Sequence, residues 1–501
     1  MHRIAFVLVA ALWFSACTNS NKPNNDNLVV GISASPSTLD PRKATDAYGM
    51  RIVDLAFQSL VKVGPSLDII GDAAQSWSVE DKTFSFQLSP NIKFSNGREL
   101  NKDDIKFSFA EYQKPDHPYA STFTDVKAIV VDGTNKQGFT VKVTLGRYKA
   151  SFLSNDLPIL KLLPKQEVET AGSEFSSHLI GTGPYAFNDI SSQQIILSKN
   201  PHFNHQQKRM ERIIFKIIKD DLTRYQKLKK GDLDVVQADI PTSKVQEFEK
   251  ENETFIVHRY PGLSMTYLLV NLRDEDLKHL GLRRSIAQSI NRKKIIKYKL
   301  EGLAKEATSI LTPNNPFHAA GLSNIPFDFH KAAENIENMG FKNLSLTLKT
   351  SNNRAAIENG RVLVNQLNKA GLNVKMESYE WGTFYNDVKT GNFQLATMRW
   401  VGVLDPDIYR LAFHSDEAPP KGRNRGGYIN KQLDRMLEEG LYIQDFKKRK
   451  GLYADIQKTV LKDLPIIPLW YDEQVAIVNK RVKNYKVAEN GDFSPLLYVY
   501  K

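Results

Sequence analysis

The sequence predicts an α/β protein of more than one domain, and three observations support this. The chain has 501 residues, well above the roughly 100–200 residues of a typical single domain. Between Arg212 and Val236 a strand pattern is followed by a helix pattern and a second strand pattern. The same alternation begins again at Met265 and continues toward the C-terminus. Alternating strands and helices are typical of α/β folds.

The individual elements follow from hydrophobic periodicity and from turn residues. We expect strands at 28–32, 83–88, 139–145, 212–218, 235–236, 265–271, 344–350, 373–379, 393–400 and 464–470. We expect helices at 47–61, from 101 onward, and at 222–229, 282–300, 362–370, 430–440 and 451–461.

The N-terminus has the pattern of a lipoprotein signal peptide, predicted to cover 1–17. A short basic segment ending at Arg3 is followed by eleven apolar residues, Ile4 to Phe14. This run is too short for a spanning helix, which needs about 20 residues. Small residues then precede Cys17, although Phe14 stands where Leu is usual.

Cys17 is the only cysteine in the chain, so no internal disulfide can form. It is either a lipid attachment site that becomes the mature N-terminus or an incidental residue of the signal peptide. Its position at the end of the apolar run favours lipidation. Residues 18–27 are polar without apolar periodicity, which predicts a flexible tether.

The composition is that of a soluble globular body, with 41% hydrophobic and 25% charged residues. The formal net charge is +12, but 68 basic residues are interleaved with 56 acidic ones. This pattern predicts a solvated basic surface with some attraction to anionic lipid headgroups, and no nucleic-acid partner.

Several ordered motifs give the chain a family resemblance. It resembles the large solute-binding proteins of ABC importers in the oligopeptide, dipeptide and nickel family (family 5). The resemblance runs from about Leu28 to the C-terminus. The motifs that carry it are Thr38-Leu39-Asp40-Pro41, AAQSWSVEDKTFSFQL at 73–88, IKFSNGRELNKDDIKF at 92–107, Gly181-Thr182-Gly183-Pro184-Tyr185, the block at 200–234, and LGLRRSIAQSINR at 280–292.

The resemblance implies a two-lobed periplasmic-binding-protein fold, class II-like and of the large cluster C type, with an extra subdomain inserted in the first lobe. The ligand is then enclosed between the lobes by hinge closure. The domain organisation we expect is a first lobe of 28–62, 177–265 and 470–501, an inserted subdomain of 63–176, and a second lobe of 266–469.

The function implied is that of a membrane-anchored receptor that captures a peptide or peptide-like solute and delivers it to an ABC permease. Such a receptor is extracytoplasmic, on the periplasmic side in a Gram-negative cell, and monomeric, and it needs no cofactor. Alternatives are a non-peptide solute, such as an opine, a glycoside or a metal chelate, and a sensor role with the same fold. A membrane-anchored hydrolase is disfavoured, because the sequence has no Gly-x-Ser-x-Gly, His-Glu-x-x-His or phosphate-binding loop motif.

One histidine pair is spaced as metal ligands can be. His202 and His205 lie three residues apart, but no Cys or nearby acidic pair completes a ligand set. We therefore predict no metal site.

The candidate ligand-binding residues follow strand ends, where α/β folds bind ligands. The family pattern places Trp400 in the cleft, although core packing is the alternative, and it makes the loop after this strand part of the cleft. Arg399 should point to the opposite face of the strand. The full candidate set is Trp400, Gly402, Val403, Asp405, Trp381, Ser35 and Thr38.

The loop after Trp400 departs from the pattern of the peptide-binding members. There, a small residue is followed by an Asp that pairs with the free amino group of the peptide. Here Gly402 is followed by Val403, and the next acid is Asp405, directly before a proline. Either Asp405 has taken over the role, or the ligand has no free α-amine in that place, and we favour the second alternative.

Overall fold

The computed structural model describes residues 26–203, 209–419 and 422–501 and shows a mixed α/β protein. The strands are β1 (Asn27–Ile32), β2 (Val61–Val63), β3 (Ile69–Gly71), β4 (Ala74–Glu80), β5 (Thr83–Leu88), β6 (Val126–Thr134), β7 (Gly138–Leu145), β8 (Tyr185–Ile190), β9 (Gln194–Lys199), β10 (Arg212–Ile217), β11 (Val235–Gln237), β12 (Phe255–Val270), β13 (Ala304–Glu306), β14 (Ser345–Ser351), β15 (Asn373–Tyr379), β16 (Leu395–Trp400) and β17 (Ile466–Asn479).

Helices cover the sheets and fill the connections between strands. They are α1 (Ala47–Ala56), α2 (Lys102–Tyr112), α3 (Ala120–Phe123), α4 (Lys165–Ala171), α5 (Asp221–Lys230), α6 (Thr242–Lys250), α7 (Leu280–Ser289), α8 (Arg292–Tyr298), α9 (Phe329–Asn338), α10 (Arg354–Lys369), α11 (Trp381–Thr390), α12 (Ile408–Phe413), α13 (Lys431–Gly440) and α14 (Phe446–Asp463). A π-helical turn spans Phe152–Asp156. In the described part of the chain, no helix is both long and apolar enough to cross a bilayer.

One large mixed sheet organises the molecule. Its strand order is β15-β14-β16-β12-β17-β11-β1-β10-β9-β8, and β13 pairs with β17 beside this path. Strand β1 pairs in parallel with β10 and β11, and β14 pairs in parallel with β15 and β16. Strands β12 and β17 run antiparallel to each other. A separate antiparallel sheet, β4-β5-β7-β6, lies within the predicted insertion of 63–176.

The hydrophobic cores divide the molecule into two lobes. One core contains residues of β1, of α1 and of the separate sheet β4-β5-β7-β6, together with C-terminal residues such as Val482 and Leu496. Two further cores contain only residues between Met265 and Tyr471. We call these the first and the second lobe. The residue limits of the lobes given above stay a prediction.

Strands β12 and β17 connect the lobes. They pair from Phe255↔Asn479 in the first lobe to Leu269↔Ile466 in the second, and the register shifts between Pro261 and Met265. Pro261 and Gly262 look like the start of a turn, so the sequence predicted only the half of β12 that follows them. The structure absorbs both residues in the irregularity, as bulges commonly do.

Two predicted helices are wrong in length. The helix expected at 47–61 ends at Ala56, because Phe57 adopts an extended conformation that leads into β2. The helix expected at 282–300 is broken into α7 and α8. Ile290 is extended there, and the side chain of Asn291 accepts a hydrogen bond from the Lys294 N–H as the cap of α8.

Candidate ligand-binding cleft

A cavity of about 250 Å³ lies between the two lobes. We call it the cleft cavity. The first lobe supplies most of its wall, including Asp54, Lys62, Lys161 and Asp492, and the loop after β16 supplies Gly402 and Leu404. At roughly 30 Å³ per water molecule, this volume equals about eight waters, which is the scale of a small solute.

Two ion pairs line the cleft cavity. Lys161 donates to Asp54 at 2.6 Å, to the Pro158 carbonyl at 2.6 Å and to the Ser59 hydroxyl at 2.8 Å. These three contacts use all three hydrogens of its ammonium group. Lys62 lies 3.0 Å from Asp72, whose charge raises the pKa of the lysine.

Asp492 is a third carboxylate of the cleft cavity, and it is held in a fixed orientation. One oxygen accepts hydrogen bonds from the Ser494 N–H at 2.9 Å and the Ser494 hydroxyl at 2.7 Å. The other accepts from the Asn490 amide at 2.8 Å. Burial raises the pKa of Asp492, and these hydrogen bonds oppose the shift. In the described part of the chain, no lysine or arginine forms an ion pair with Asp492.

The loop after β16 begins at Trp400, whose ring stacks on Tyr267 at a centroid distance of 6.2 Å. Gly402 has a φ of +66°, a backbone conformation that favours glycine, and it lines the cleft cavity. Val403 is buried, and its N–H donates to the Leu263 carbonyl at 3.2 Å. Arg399 points away from Trp400, as expected, and pairs with Asp472 at 3.0 Å.

Asp405 is buried, and both oxygens of its carboxylate accept hydrogen bonds from the protein. Arg449 donates two hydrogen bonds to it, at 2.8 and 3.2 Å. The Ser154 hydroxyl donates at 2.9 Å and the Asp407 N–H at 2.9 Å. A carboxylate has about four lone-pair sites, and these four donors use them. Asp405 therefore has no acceptor left for a ligand amine in this conformation.

Of the seven candidate residues, all of them described, only Gly402 lines the cleft cavity. Trp381 begins α11, is 55% exposed and stacks on Tyr385 at 5.5 Å. Ser35 is exposed and its hydroxyl donates to the Pro36 carbonyl, and Thr38 accepts a hydrogen bond from the Asp40 N–H. The loop that contains Ser35 and Thr38 reaches the cavity through Pro41 and Ala44 instead.

A stacked series of side chains links Trp381 to Trp400 on the second lobe. The guanidinium of Arg425 lies 4.9 Å from the Tyr385 ring centre and 5.9 Å from that of Trp400. Arg425 also donates to the Tyr385 hydroxyl at 2.9 Å. The two tryptophans chosen from the sequence thus belong to one aromatic series, joined by an arginine that the sequence analysis did not select.

The lobes touch beside the cleft cavity. The Ala150 N–H of the first lobe donates to the Leu441 carbonyl of the second at 3.0 Å. The Gln444 amide donates back to the Asp81 carbonyl at 3.1 Å. Together with the Ser154–Asp405 bond, these contacts join the two lobes in this structure.

Two sequence predictions fall on residues that the structure does not describe. Cys17, the signal peptide and residues 18–25 of the tether lie outside the described residues, as does His205. Among the described residues, no group of three or more His, Cys, Asp or Glu side chains is arranged to hold a metal ion.

Known proteins match this chain in sequence and in fold. A protein named "Probable D,D-dipeptide-binding periplasmic protein DdpA" from Escherichia coli (strain K12) is 28% identical, with 94% of this chain and 92% of that protein covered. The crystal structure of the ABC transporter substrate-binding protein CtaP from Listeria monocytogenes has a TM-score of 0.84 at 24% identity, covering 95% of this chain and 99% of CtaP.

A third match is NikZ from Campylobacter jejuni in complex with Ni(L-His). Its TM-score is 0.82 at 23% identity, with 95% of this chain and 100% of NikZ covered. These structural matches confirm the predicted two-lobed α/β fold. The family model described as "Bacterial extracellular solute-binding proteins, family 5 Middle" matches residues 68–419, more than half of the chain. The chain therefore belongs to the bacterial extracellular solute-binding proteins of family 5.

Proposed function

We propose that this protein is a membrane-anchored receptor that captures a peptide or peptide-like solute by hinge closure and delivers it to an ABC permease. The observation that carries the proposal is the cleft cavity, which both lobes line. A site built from two lobes is complete only when the lobes are together, so ligand binding and closure favour each other.

Strands β12 and β17 form the proposed hinge. They are the two segments that pass between the lobes within the large sheet, and their pairing is irregular between Pro261 and Met265. Hinges are short segments that absorb large changes of backbone angle. An irregular ladder loses fewer regular hydrogen bonds on bending than a continuous one, so we place the bend there.

The proposed ligand is of dipeptide size. The relative from Escherichia coli is named for binding D,D-dipeptides, and the cleft cavity has a volume of about 250 Å³. Enclosure removes the polar groups of the ligand from water, so the cavity must offer hydrogen-bonding partners. Its ion pairs and the oriented carboxylate of Asp492 are such partners.

We propose reversible binding without chemical change of the ligand. The family and the relatives are solute-binding proteins, and the charged groups of the cleft cavity are engaged in ion pairs or oriented by hydrogen bonds. The chain is proposed to act extracytoplasmically as a monomer attached through lipidated Cys17. The tether then keeps the receptor at the membrane that contains its permease.

A thermal-shift screen of the mature protein against dipeptides, sugars and metal chelates tests this function. A ligand that binds only the native state raises the free energy of unfolding by about 2.7 kcal/mol at a hundredfold excess over its dissociation constant. We expect a dipeptide to raise Tm and to be recovered unchanged. A response limited to another solute class would overturn the peptide proposal, and loss of the peptide with turnover would overturn the binding role.

A further inference from the structure

We propose that the cleft cavity recognises a cationic group of its ligand, such as the amine of a dipeptide, through Asp492 of the first lobe. This inference rests on the proposed function and names a ligand class for the same site. The cationic group would then contact the first lobe, whereas the loop after β16 belongs to the second lobe.

The charged side chains of the cleft cavity do not balance. It is lined by three carboxylates, Asp54, Asp72 and Asp492, and by two ammonium groups, Lys62 and Lys161. Each lysine is paired, Lys161 with Asp54 and Lys62 with Asp72. The charge of Asp492 is left without a cation in the described part of the chain, so the ionised cavity has one surplus negative charge.

Asp492 is oriented by its neighbours and keeps room for a ligand. Its three hydrogen bonds come from neutral donors on Asn490 and Ser494, within two residues of it in sequence. They orient the carboxylate and leave about one of its four lone-pair sites free. Asp492 is partly exposed and lines the cleft cavity, so a ligand inside the cavity can reach it.

A cationic ligand would remove an energetic cost at Asp492. Burial is the largest cause of the raised pKa of Asp492, and the nearby charge of Asp54 raises it further. An ionised carboxylate in such a place is destabilised until an opposite charge arrives. A ligand ammonium supplies that charge together with three donors.

In the loop after β16, neither Val403 nor Asp405 offers a free acceptor to a ligand amine. The side chain of Val403 cannot accept a hydrogen bond, and all acceptor sites of Asp405 are occupied by Arg449, Ser154 and Asp407. Lys161 cannot receive an anionic group, because its three donors are already used. Lys62 makes one hydrogen bond to Asp72 and can donate to a ligand carboxylate as well, so a zwitterion suits the cavity.

The test compares an equimolar mixture of dipeptides with the same mixture after N-acetylation. Thermal shifts are measured on the wild type, on Asp492→Asn and on Asp189→Asn, which removes an exposed carboxylate of β8 that does not line the cavity. The best single dipeptide is then titrated by calorimetry. We expect the free-amine mixture alone to raise Tm, and Asp492→Asn to weaken binding at least tenfold while Asp189→Asn binds like the wild type.

Two measurements separate lost recognition from lost folding. Circular dichroism and the unfolding midpoint without peptide show whether Asp492→Asn is folded. Asp54→Asn changes a more exposed position, also makes the cavity less negative, and is expected to weaken binding of the free-amine dipeptide. Equal binding of both mixtures, or an unchanged preference in Asp492→Asn, would overturn this inference and leave the peptide-receptor function standing. Binding of neither mixture would overturn the proposed peptide class and this inference with it.

Discussion

Ser154 of the first lobe donates its hydroxyl to the carboxylate of Asp405 in the second lobe over 2.9 Å. Ser154 lies in the π-helical turn at Phe152–Asp156, and such turns frequently occur at functional sites. The acceptor is fixed in place by Arg449. The bond therefore joins a preset acceptor in one lobe to a donor in the other, and it exists only when the lobes are together.

Ser154→Ala is expected to weaken ligand binding without changing the stability of either lobe. A hydrogen bond to a charged group contributes about 1.5 kcal/mol or more, which corresponds to roughly a tenfold loss of affinity. Calorimetry with the best dipeptide measures this loss. Ser78→Ala, on an exposed position of β4, is the matched control, and equal affinities of the two variants would show that this bond does not contribute to closure.

Asp405→Asn is expected to destabilise the second lobe. It leaves Arg449, which is buried and also contacts Phe317 and Tyr453, without its anionic partner. Breaking a buried pair costs about 3–5 kcal/mol of unfolding free energy. Urea unfolding measures the change, and the double variant Asp405→Asn/Arg449→Met should recover part of it. A variant of wild-type stability that loses only its preference for free amines would show that Asp405 contacts the ligand.

The pH dependence of stability is expected to reflect Asp156. This carboxyl is fully buried, and burial raises its pKa from 3.8 to about 6. Lys149, 2.7 Å away, opposes the shift, whereas Asp405 and Asp407 add to it. Because the folded state binds this proton more tightly than the unfolded state does, its contribution to stability is full below about pH 4. It is lost as the pH rises toward 6 and above.

Urea unfolding between pH 4 and pH 7.5 tests this expectation. Asp156→Asn should remove a decrease in stability that the wild type shows as the pH rises through about 6, with Asp189→Asn as the control. Parallel pH profiles of the wild type and Asp156→Asn would contradict the assignment. The charges that act on this group are those of Lys149, Asp405 and Asp407.

Cys17→Ser is expected to release the protein from membranes. Lipidation would attach more than one acyl chain, and stable anchoring takes more than a single chain. Fractionation of cells that produce each form measures the distribution. A serine variant that stays in the membrane fraction would show that Cys17 is not the anchor.

Local sequence signals predicted much of the fold. Asn101 and Asp104 form the capping box that begins α2, with hydrogen bonds in both directions, and such a cap can be identified from sequence. The missed features depend on distant contacts. Residues 255–264 extend β12 across a Pro-Gly step because β17 pairs beside them, and no local pattern encodes that partner.

The candidate site likewise combines a feature that the sequence predicted with others that it did not. The sequence selected the loop after β16, and Gly402 lines the cleft cavity. It did not select Asp492, which lies more than 400 residues from Asp54 in sequence yet lines the same cavity. The acceptor sites of the Asp405 carboxylate are filled in part by Arg449 and Ser154, which are 44 and 251 residues away in sequence. Only the folded chain brings these groups together.

The central position of β17 in the sheet has a consequence for how the chain is made. This strand pairs with β11, β12 and β13, and residues after it complete the core of the first lobe. Domains usually fold from the N-terminus as synthesis proceeds. The large sheet is therefore complete only after β17 has been made, whereas the separate sheet β4-β5-β7-β6 contains no strand from that part of the chain. Folding of the two lobes thus depends on the same late strand, so neither lobe completes its part of the large sheet before the other has been synthesised.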